Sequence, residues 1–260
     1  MALAFTAPSK IRRPAADPPP ESVKAGSAVI SRATRRCAAC DHPRFCPTCK
    51  LVAPETALAS ALACTLKRVR RTESLYRAGA SFDSLYAIRS GFFKSTVTLE
   101  DGRDQVTGFH MAGEILGMDG IGSERYMADT TALEDSEVWI IPHARLDDPI
   151  LQRELFKVMS RELVRDQGVM LLLGSMSSAE RLATFLLNLS QRFVARGFSS
   201  HEFHLRLTRE EIGSYLGLSL ETVSRLFSRF RGEGLVGVAQ KHIRIQDIEG
   251  LRALTADASD

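Results

Sequence analysis

The sequence lacks any long apolar run. No segment reaches the roughly 18 consecutive apolar residues that a membrane-spanning helix needs. The first residues, MALAFTAPSKIRRP, also lack the apolar block of a secretory signal. These absences argue against a membrane protein and a secreted one, so we expect a cytoplasmic protein with no membrane partner.

A strong excess of one charge is lacking as well. The 34 Lys and Arg residues nearly balance the 31 Asp and Glu residues, which leaves a formal net charge of +3. That excess is too small to indicate a nucleic-acid partner by itself, so any phosphate-binding surface must be local. With 260 residues and 44% hydrophobic content, the chain is long enough to bury the cores of two modest domains.

Cysteine is scarce but concentrated. Four of the five cysteines lie within the segment RCAACDHPRFCPTC, at Cys37, Cys40, Cys46 and Cys49. In a reducing compartment this crowding predicts shared metal or cluster ligation rather than disulfides. Two C-x2-C pairs also suit tetrahedral zinc, although five intervening residues are few for a zinc knuckle. The fifth, Cys64, lies on a short helix predicted over residues 55–66, where it packs as a small hydrophobe.

The order of patterns predicts an α+β chain of five parts. Residues 1–33, rich in Pro, Ala, Ser and Arg, indicate a disordered tail, and residues 34–50 form the cysteine segment. Short β-type runs separated by turns over residues 51–146 predict an antiparallel β-roll. The basic run at residues 67–71 is interpreted as a solvated strand edge. A long helix over 147–175 and a helix-turn-helix domain over 176–260 complete the chain.

The long helix carries one regular stripe of side chains. Its members are spaced three, four, three and four residues apart, as in a coiled-coil seam: Phe156, Met159, Leu163, Asp166 and Met170. The alternative is an ordinary amphipathic helix that covers its own core. A carboxylate at a seam position opposes its symmetry mate in a parallel dimer, and like charges disfavour association. Asp166 therefore indicates a dimer interface of only marginal stability.

Residues 207–231, LTREEIGSYLGLSLETVSRLFSRFR, predict two short helices. Thr208 with Glu211 forms a capping box, Ser219 is a second N-cap, and Gly217 lies at the turn. The following LVGVAQKHIRIQDI reads as two short strands joined by a polar turn. This arrangement is typical of a winged helix-turn-helix, with two packed helices of an unrelated core as the alternative.

The side of the second helix that faces away from its apolar stripe is predicted to enter the major groove of double-stranded DNA. It presents Glu221, Ser224, Arg225 and Ser228 at spacings of three, one and three. A guanidinium can pair with guanine, and a carboxylate can accept from cytosine or adenine amino groups. Two further candidates are Thr222 and Arg209. Four arginines flank these helices, either holding phosphates or merely exposed: Arg206, Arg209, Arg229 and Arg231.

Four segments resemble the Crp/Fnr superfamily of dimeric bacterial regulators, and specifically its Fnr branch: SLYAIRSGFFKS, QVTGFHMAGEILGMDGIGS, AERLATFLLNLSQRFVARGFS and LTREEIGSYLGLSLETVSRLFSRF. The resemblance implies a β-roll of the cupin or cyclic-nucleotide-binding type, a dimerisation helix, a winged helix-turn-helix and no enzymatic activity. It implies base recognition by Glu221, Ser224 and Arg225 on a palindrome, TTGAT-N4-ATCAA. RNA polymerase is the implied protein partner.

The same resemblance gives the cysteines a role. Cys37, Cys40 and Cys46 match the C-x2-C-x5-C run that supplies three ligands to an oxygen-labile 4Fe-4S cluster in the Fnr branch. The distant fourth cysteine of that branch aligns with Trp139, which cannot coordinate iron. Cys49 is the preferred substitute and His42 a weaker one. A zinc site at the same cysteines, and an iron-sulfur electron carrier, are the alternatives.

Cyclic-nucleotide sensing is not expected. In the Crp branch an Arg-Ser pair binds the phosphate of the nucleotide, and Tyr126 and Met127 occupy that position here. Neither side chain offers a guanidinium to the phosphate.

Overall fold

The computed structural model describes residues 65–256. The tail, the segment with Cys37, Cys40, Cys46 and Cys49, and Cys64 lie outside the described residues. The helix predicted over residues 55–66 is wrong at its end, because Thr65 and Leu66 belong to a β-strand. The described chain consists of a β-roll, a long helix and a winged helix-turn-helix, which confirms the predicted fold class.

The β-roll is made of two four-stranded antiparallel sheets. In one, the strand order is β1 (Thr65–Val69), β8 (Ser136–Pro142), β3 (Ser84–Ser90) and β6 (Ile115–Leu116). In the other it is β2 (Ser74–Tyr76), β7 (Asp129–Ala132), β4 (Phe92–Thr98) and β5 (Asp104–Met111). Alternating apolar side chains fill the interior, among them the fully buried Leu85, Ile88, Phe93 and Ile141. Strand β1 is an edge strand with Arg68 exposed, as predicted for the basic run.

Helix α1 (Pro149–Ser175) crosses from the roll to the last domain. Leu151, Leu155 and Val158 are buried against the core of the roll, whereas the predicted seam lies on another face. The helix therefore uses a separate apolar stripe to cover its own core.

The C-terminal domain begins with α2 (Ser178–Val194), which opens at a capping box of Ser177 and Glu180. Helix α3 (Arg209–Leu216) and helix α4 (Leu220–Gly232) follow strand β9 (Glu202–His204). Strands β10 (Val236–Ala239) and β11 (His242–Ile245) form the predicted wing, and α5 (Ile248–Ala256) packs against α2.

The β-roll and the C-terminal domain share a continuous core. Phe109 of β5 lies 6.2 Å from Phe185 of α2 and 5.0 Å from Tyr215 of α3, measured between ring centroids. Two ion pairs border this contact: Lys94 with Glu211 at 2.8 Å, and Arg206 with Glu134 at 2.7 Å. The C-terminal domain is thus docked on the roll by apolar packing as well as by charge.

A buried histidine lies beside this contact. The Nε2 atom of His110 is 3.0 Å from the hydroxyl of Ser95, and its Nδ1 atom is 3.8 Å from the carboxylate of Glu114. Burial lowers the pKa of His110 from 6.5 to about 3, although the Glu114 carboxylate opposes the shift. His110 is therefore neutral in the folded protein at neutral pH.

We expect this histidine to make the protein acid-sensitive. In the unfolded chain His110 binds a proton near pH 6.5, whereas the folded chain binds it only near pH 3. The stability linked to the neutral imidazole is complete above pH 6.5 and is lost as the pH falls below it. The loss in unfolding free energy between pH 7 and pH 5 is about 2 kcal/mol. Urea denaturation at both pH values should show this extra loss in the wild type and not in His110→Gln, and equal losses in the two proteins would contradict it.

Candidate nucleic-acid interface

The turn between α3 and α4 sets the angle of the two helices. Gly217 adopts a left-handed conformation with φ +64°, as predicted for the turn. A Cβ atom on Gly213 would lie 2.5 Å from the carbonyl oxygen of Leu218, so only glycine permits this close approach. Ser219 is the N-cap of α4, and its hydroxyl accepts the backbone N–H of Thr222 at 3.2 Å. The hydroxyl of Thr222 accepts from Ser219 at 3.1 Å.

One side of each helix is buried. Ile212 and Leu216 of α3 are fully buried, and Tyr215 is partly buried beside them. Helix α4 contributes its buried stripe to the same core: Val223, Leu226, Phe227 and Phe230. These four residues have the i, i+3, i+4 and i+7 spacing of one helix face. This packing holds α4 rigidly with its other side outward.

The outward side carries the predicted base-reading residues. Glu221, Arg225 and Ser228 are exposed and Ser224 is half-buried. Within residues 65–256 the guanidinium of Arg225 forms no salt bridge, so its donors are available. The Ser228 hydroxyl donates to the Ser224 carbonyl oxygen at 3.1 Å and retains its acceptor capacity. The surface can therefore both donate to and accept from base edges.

The carboxylate of Glu221 is held ionised at the start of α4. The backbone N–H of Glu221 itself and the neighbouring Ser219 side chain lower the pKa of Glu221. The carboxylate is therefore an acceptor at neutral pH. Next to it, Leu220 is exposed, a position that the sequence pattern did not single out.

The flanking arginines differ in their surroundings. The guanidinium of Arg209 lies 3.3 Å from the centroid of the Phe227 ring, and burial lowers the pKa of Arg209 to about 10, which leaves it charged. Arg206 pairs with Glu134, and Arg229 pairs with Glu233 at 2.7 Å. Arg231 is exposed. Of the four arginines, Arg231 therefore has the side chain that is most accessible for a phosphate contact.

The predicted seam of α1 is open to solvent. The exposed fractions are 69% for Phe156, 60% for Leu163 and 65% for Met170, and Met159 and Asp166 are exposed too. An ordinary amphipathic helix would turn such side chains toward its own core. In this chain that role falls to Leu151, Leu155 and Val158. The exposed stripe is therefore available for contact with another molecule.

Trp139 is partly buried against the core of the roll. It lies on β8 opposite Leu66 of β1, and the guanidinium of Arg89 stands 5.9 Å from the centroid of its ring. Among residues 65–256 no three His, Cys, Asp or Glu side chains are grouped as metal ligands.

Within the same residues, no helix combines the length and the apolar character of a membrane span.

Comparisons with known proteins place both domains. The cyclic nucleotide-binding domain family matches residues 66–153, and the Crp-like helix-turn-helix domain family matches residues 180–254. The chain is 42% identical to the transcriptional regulatory protein btr of Bordetella pertussis over 88% of this chain and 97% of that protein. It is 45% identical to the fumarate and nitrate reduction regulatory protein of Escherichia coli over 72% of this chain and 77% of that one.

A solved structure agrees. FixK2 from Bradyrhizobium japonicum superposes with a TM-score of 0.68 at 30% identity, covering 75% of this chain and 98% of that chain. These relatives are regulators and not enzymes. The chain therefore belongs to the Crp/Fnr family and is a DNA-binding transcriptional regulator of the Fnr type.

Proposed function

We propose that this regulator responds to oxygen or redox state through an iron-sulfur cluster at its N-terminal cysteines. It acts in the cytoplasm as a homodimer on the palindrome TTGAT-N4-ATCAA and works with RNA polymerase. The observation that carries the sensing role is the C-x2-C-x5-C spacing of Cys37, Cys40 and Cys46. That spacing occurs here in a chain whose relatives include fumarate and nitrate reduction regulatory proteins.

Base recognition is assigned to the outward side of α4. Arg225 would donate to guanine, Glu221 would accept from an adenine or cytosine amino group, and Ser224 would contact a neighbouring base. Ser228 and Thr222 border this set, and Arg209 and Arg231 would lie near phosphates. Because these side chains project from one rigid helix, a monomer reads one half-site of the palindrome.

Dimerisation is assigned to the exposed seam of α1. Phe156, Met159, Leu163 and Met170 would pack against the same residues of a second copy, as in a parallel coiled coil. Linking two half-site contacts raises the affinity through effective concentration, by about 10²-fold to 10⁴-fold. Control of the dimer is therefore control of DNA binding. Dimers would be favoured when the cysteines hold the cluster and disfavoured after exposure to oxygen.

The donor set fits a cluster. Cys37, Cys40 and Cys46 would provide three thiolates, the ligands that iron-sulfur clusters use, and Cys49 would provide the fourth. A bound iron-sulfur cluster would be the oxygen-labile group of the protein. Trp139 contributes nothing, since an indole nitrogen is a donor without a lone pair for iron. The second candidate, a structural zinc at the same four thiols with a different effector, is favoured by the two C-x2-C pairs.

Metal analysis separates the two candidates. We expect protein purified without oxygen to contain iron and sulfide, with visible absorbance that Cys40→Ala and Cys49→Ala abolish. Cys64→Ala is the matched control and should keep that absorbance. Zinc without iron or sulfide would support the structural alternative, and a normal cluster in Cys49→Ala would remove Cys49 as the fourth ligand.

No cyclic nucleotide is proposed as the effector. The hydroxyl of Tyr126 donates to the Ser84 carbonyl oxygen at 2.8 Å and accepts its N–H at 3.3 Å, and the ring lies 4.0 Å from that of Tyr76. The interior of the roll at this position is thus filled by aromatic rings. Met127 is exposed and carries no charge for a phosphate.

A further inference from the structure

Glu114 lies between the β-roll and the C-terminal domain and is surrounded by arginines. Glu114 follows β5, and its Oε1 atom is 2.9 Å from Nη2 of Arg192 on α2 and 2.6 Å from Nη2 of Arg196, which lies in the turn just after α2. Its Oε2 atom is 3.4 Å from Nη1 of Arg165 on α1, which also pairs with Glu162. We call Glu114, Arg165, Arg192 and Arg196 the Glu114 cluster. It joins the roll to two helices through one carboxylate.

Arg192 and Arg196 also bind the backbone of the roll. Arg192 donates to the carbonyl oxygen of Phe109 at 2.7 Å, and Arg196 donates through Nε to the carbonyl oxygen of Ala112. Each guanidinium therefore holds a carboxylate and a carbonyl at once, which its planar fork of donors permits. Such multiple contacts define the orientation of α2 on the roll more narrowly than apolar packing alone does.

Burial makes the arrangement costly to change. The side chains of Glu114, Arg192 and Arg196 are between 13% and 17% exposed. If α2 moved away, three charged groups would lose their partners before regaining full solvation. Desolvation alone would raise the pKa of Glu114, but the neighbouring cations outweigh it and lower that pKa to about 2. The carboxylate is thus ionised throughout the physiological range.

The cluster continues into the interior of the roll. The Ser95 hydroxyl lies 3.0 Å from His110 Nε2 and 3.2 Å from the Thr130 hydroxyl. His110 is in turn adjacent to Glu114. A chain of buried polar groups therefore leads from β7 and β4 to Arg192 and Arg196.

We propose that Glu114 is a positioning residue for DNA recognition. By holding Arg192 and Arg196, it sets one orientation of the C-terminal domain on the β-roll. In the dimer, that orientation sets the distance and rotation between the two α4 helices. This inference rests on the proposed function, since it requires a dimer that binds two half-sites.

The spacing of the half-sites provides the test. Full-length protein, reconstituted without oxygen, is titrated with TTGAT-N4-ATCAA and with the same duplex carrying a six-base-pair spacer. Two extra base pairs rotate one half-site by about 70° and move it by about 7 Å. We expect the wild type to bind the longer duplex about 100-fold more weakly, because one half-site is lost. We call the ratio of the affinities for the original and the longer duplex the spacer penalty. Glu114→Gln should bind the original duplex about tenfold more weakly, and its spacer penalty should fall below about tenfold.

Two further variants separate positioning from loss of fold. Glu137→Gln is the matched control, because Glu137 also pairs with two arginines, Arg68 and Arg89, but entirely within the roll. It should keep the wild-type penalty. Arg196→Lys keeps the charge and removes the second contact, so it should lower the penalty even if Glu114→Gln does not fold. Equal weakening on both duplexes, with an unchanged penalty, would overturn the proposal.

Amide exchange gives a readout that does not involve DNA. The Val106 N–H donates to the Ser214 hydroxyl at 2.8 Å, across the contact between roll and C-terminal domain. We expect its hydrogen exchange to be about tenfold faster in Glu114→Gln and unchanged in Glu137→Gln. Unchanged exchange in both variants would count against the proposal. If the wild type binds neither duplex, the proposed function itself is refuted. If the wild type binds but the Glu114 and Arg196 variants keep its spacer penalty, only the role of Glu114 is refuted.

Discussion

Arg225→Ala is expected to bind TTGAT-N4-ATCAA between about 30-fold and about 20,000-fold more weakly than the wild type. A guanidinium that pairs with guanine contributes about 1–3 kcal/mol per half-site, and a dimer loses this contact twice. Arg225 is exposed on α4, while Val223 and Phe230 hold the opposite side of the helix in the core. The loss should therefore concern recognition and leave the fold intact. Binding is measured by fluorescence anisotropy at fixed salt on anaerobically reconstituted protein.

Two controls show whether the lost contact is specific for guanine. Replacing the guanine of each half-site by adenine should weaken the wild type strongly and Arg225→Ala little, because the variant has no contact left to lose. Arg231→Ala, which removes an exposed arginine from the end of the same helix, should weaken both duplexes to a similar extent. Wild-type affinity in Arg225→Ala would refute the assigned base contact.

Asp166→Ala is expected to increase dimerisation of the cofactor-free protein by about 30-fold. In a parallel dimer the carboxylate faces its symmetry mate, and two such charges about 8 Å apart at a partly hydrated interface repel by about 2 kcal/mol. Asp166 is exposed on the same face of α1 as Leu163. Removal of the charge leaves an apolar seam that associates without help from the N-terminal segment. Analytical ultracentrifugation over a range of concentrations measures the dissociation constant.

Variants on either side of the seam sharpen this test. Leu163→Asp adds a charge in place of a side chain that is 60% exposed, and should abolish the dimer without unfolding the chain. Glu154→Ala removes a carboxylate that pairs with Lys157 on the same helix, and should leave the dimerisation constant unchanged. If Asp166→Ala and Leu163→Asp both behaved as the wild type, another surface would have to form the dimer.

Features set by neighbours in the chain were predictable. Ser177, Thr208 and Ser219 cap helices because each hydroxyl meets a backbone N–H three residues later. The outward side of α4 followed from the period of 3.6 residues per turn, which separates Arg225 from the buried Val223 and Leu226. In contrast, the end of the helix predicted over residues 55–66 was wrong, because pairing with β8 places Thr65 and Leu66 in a strand.

Contacts between distant parts of the chain could not be predicted in this way. Arg206 was a candidate for a phosphate contact, but the fold brings it to Glu134. Arg209 was another, and its guanidinium lies on the ring of Phe227. The sequence pattern around Glu114 does not indicate its role, because its partners Arg192 and Arg196 lie 78 and 82 residues further along the chain.

The amino-acid sequence alone therefore determined the order of the domains, the start of each capped helix and the side of α4 that faces outward. These properties depend on hydrogen bonds and periodicity over a few residues, which local composition dictates. The tertiary structure decided which charges are paired, which stripe of α1 is covered, and how the C-terminal domain is docked on the β-roll. These properties depend on which surfaces come into contact in the folded chain. The distance between two residues in the sequence does not predict such contacts.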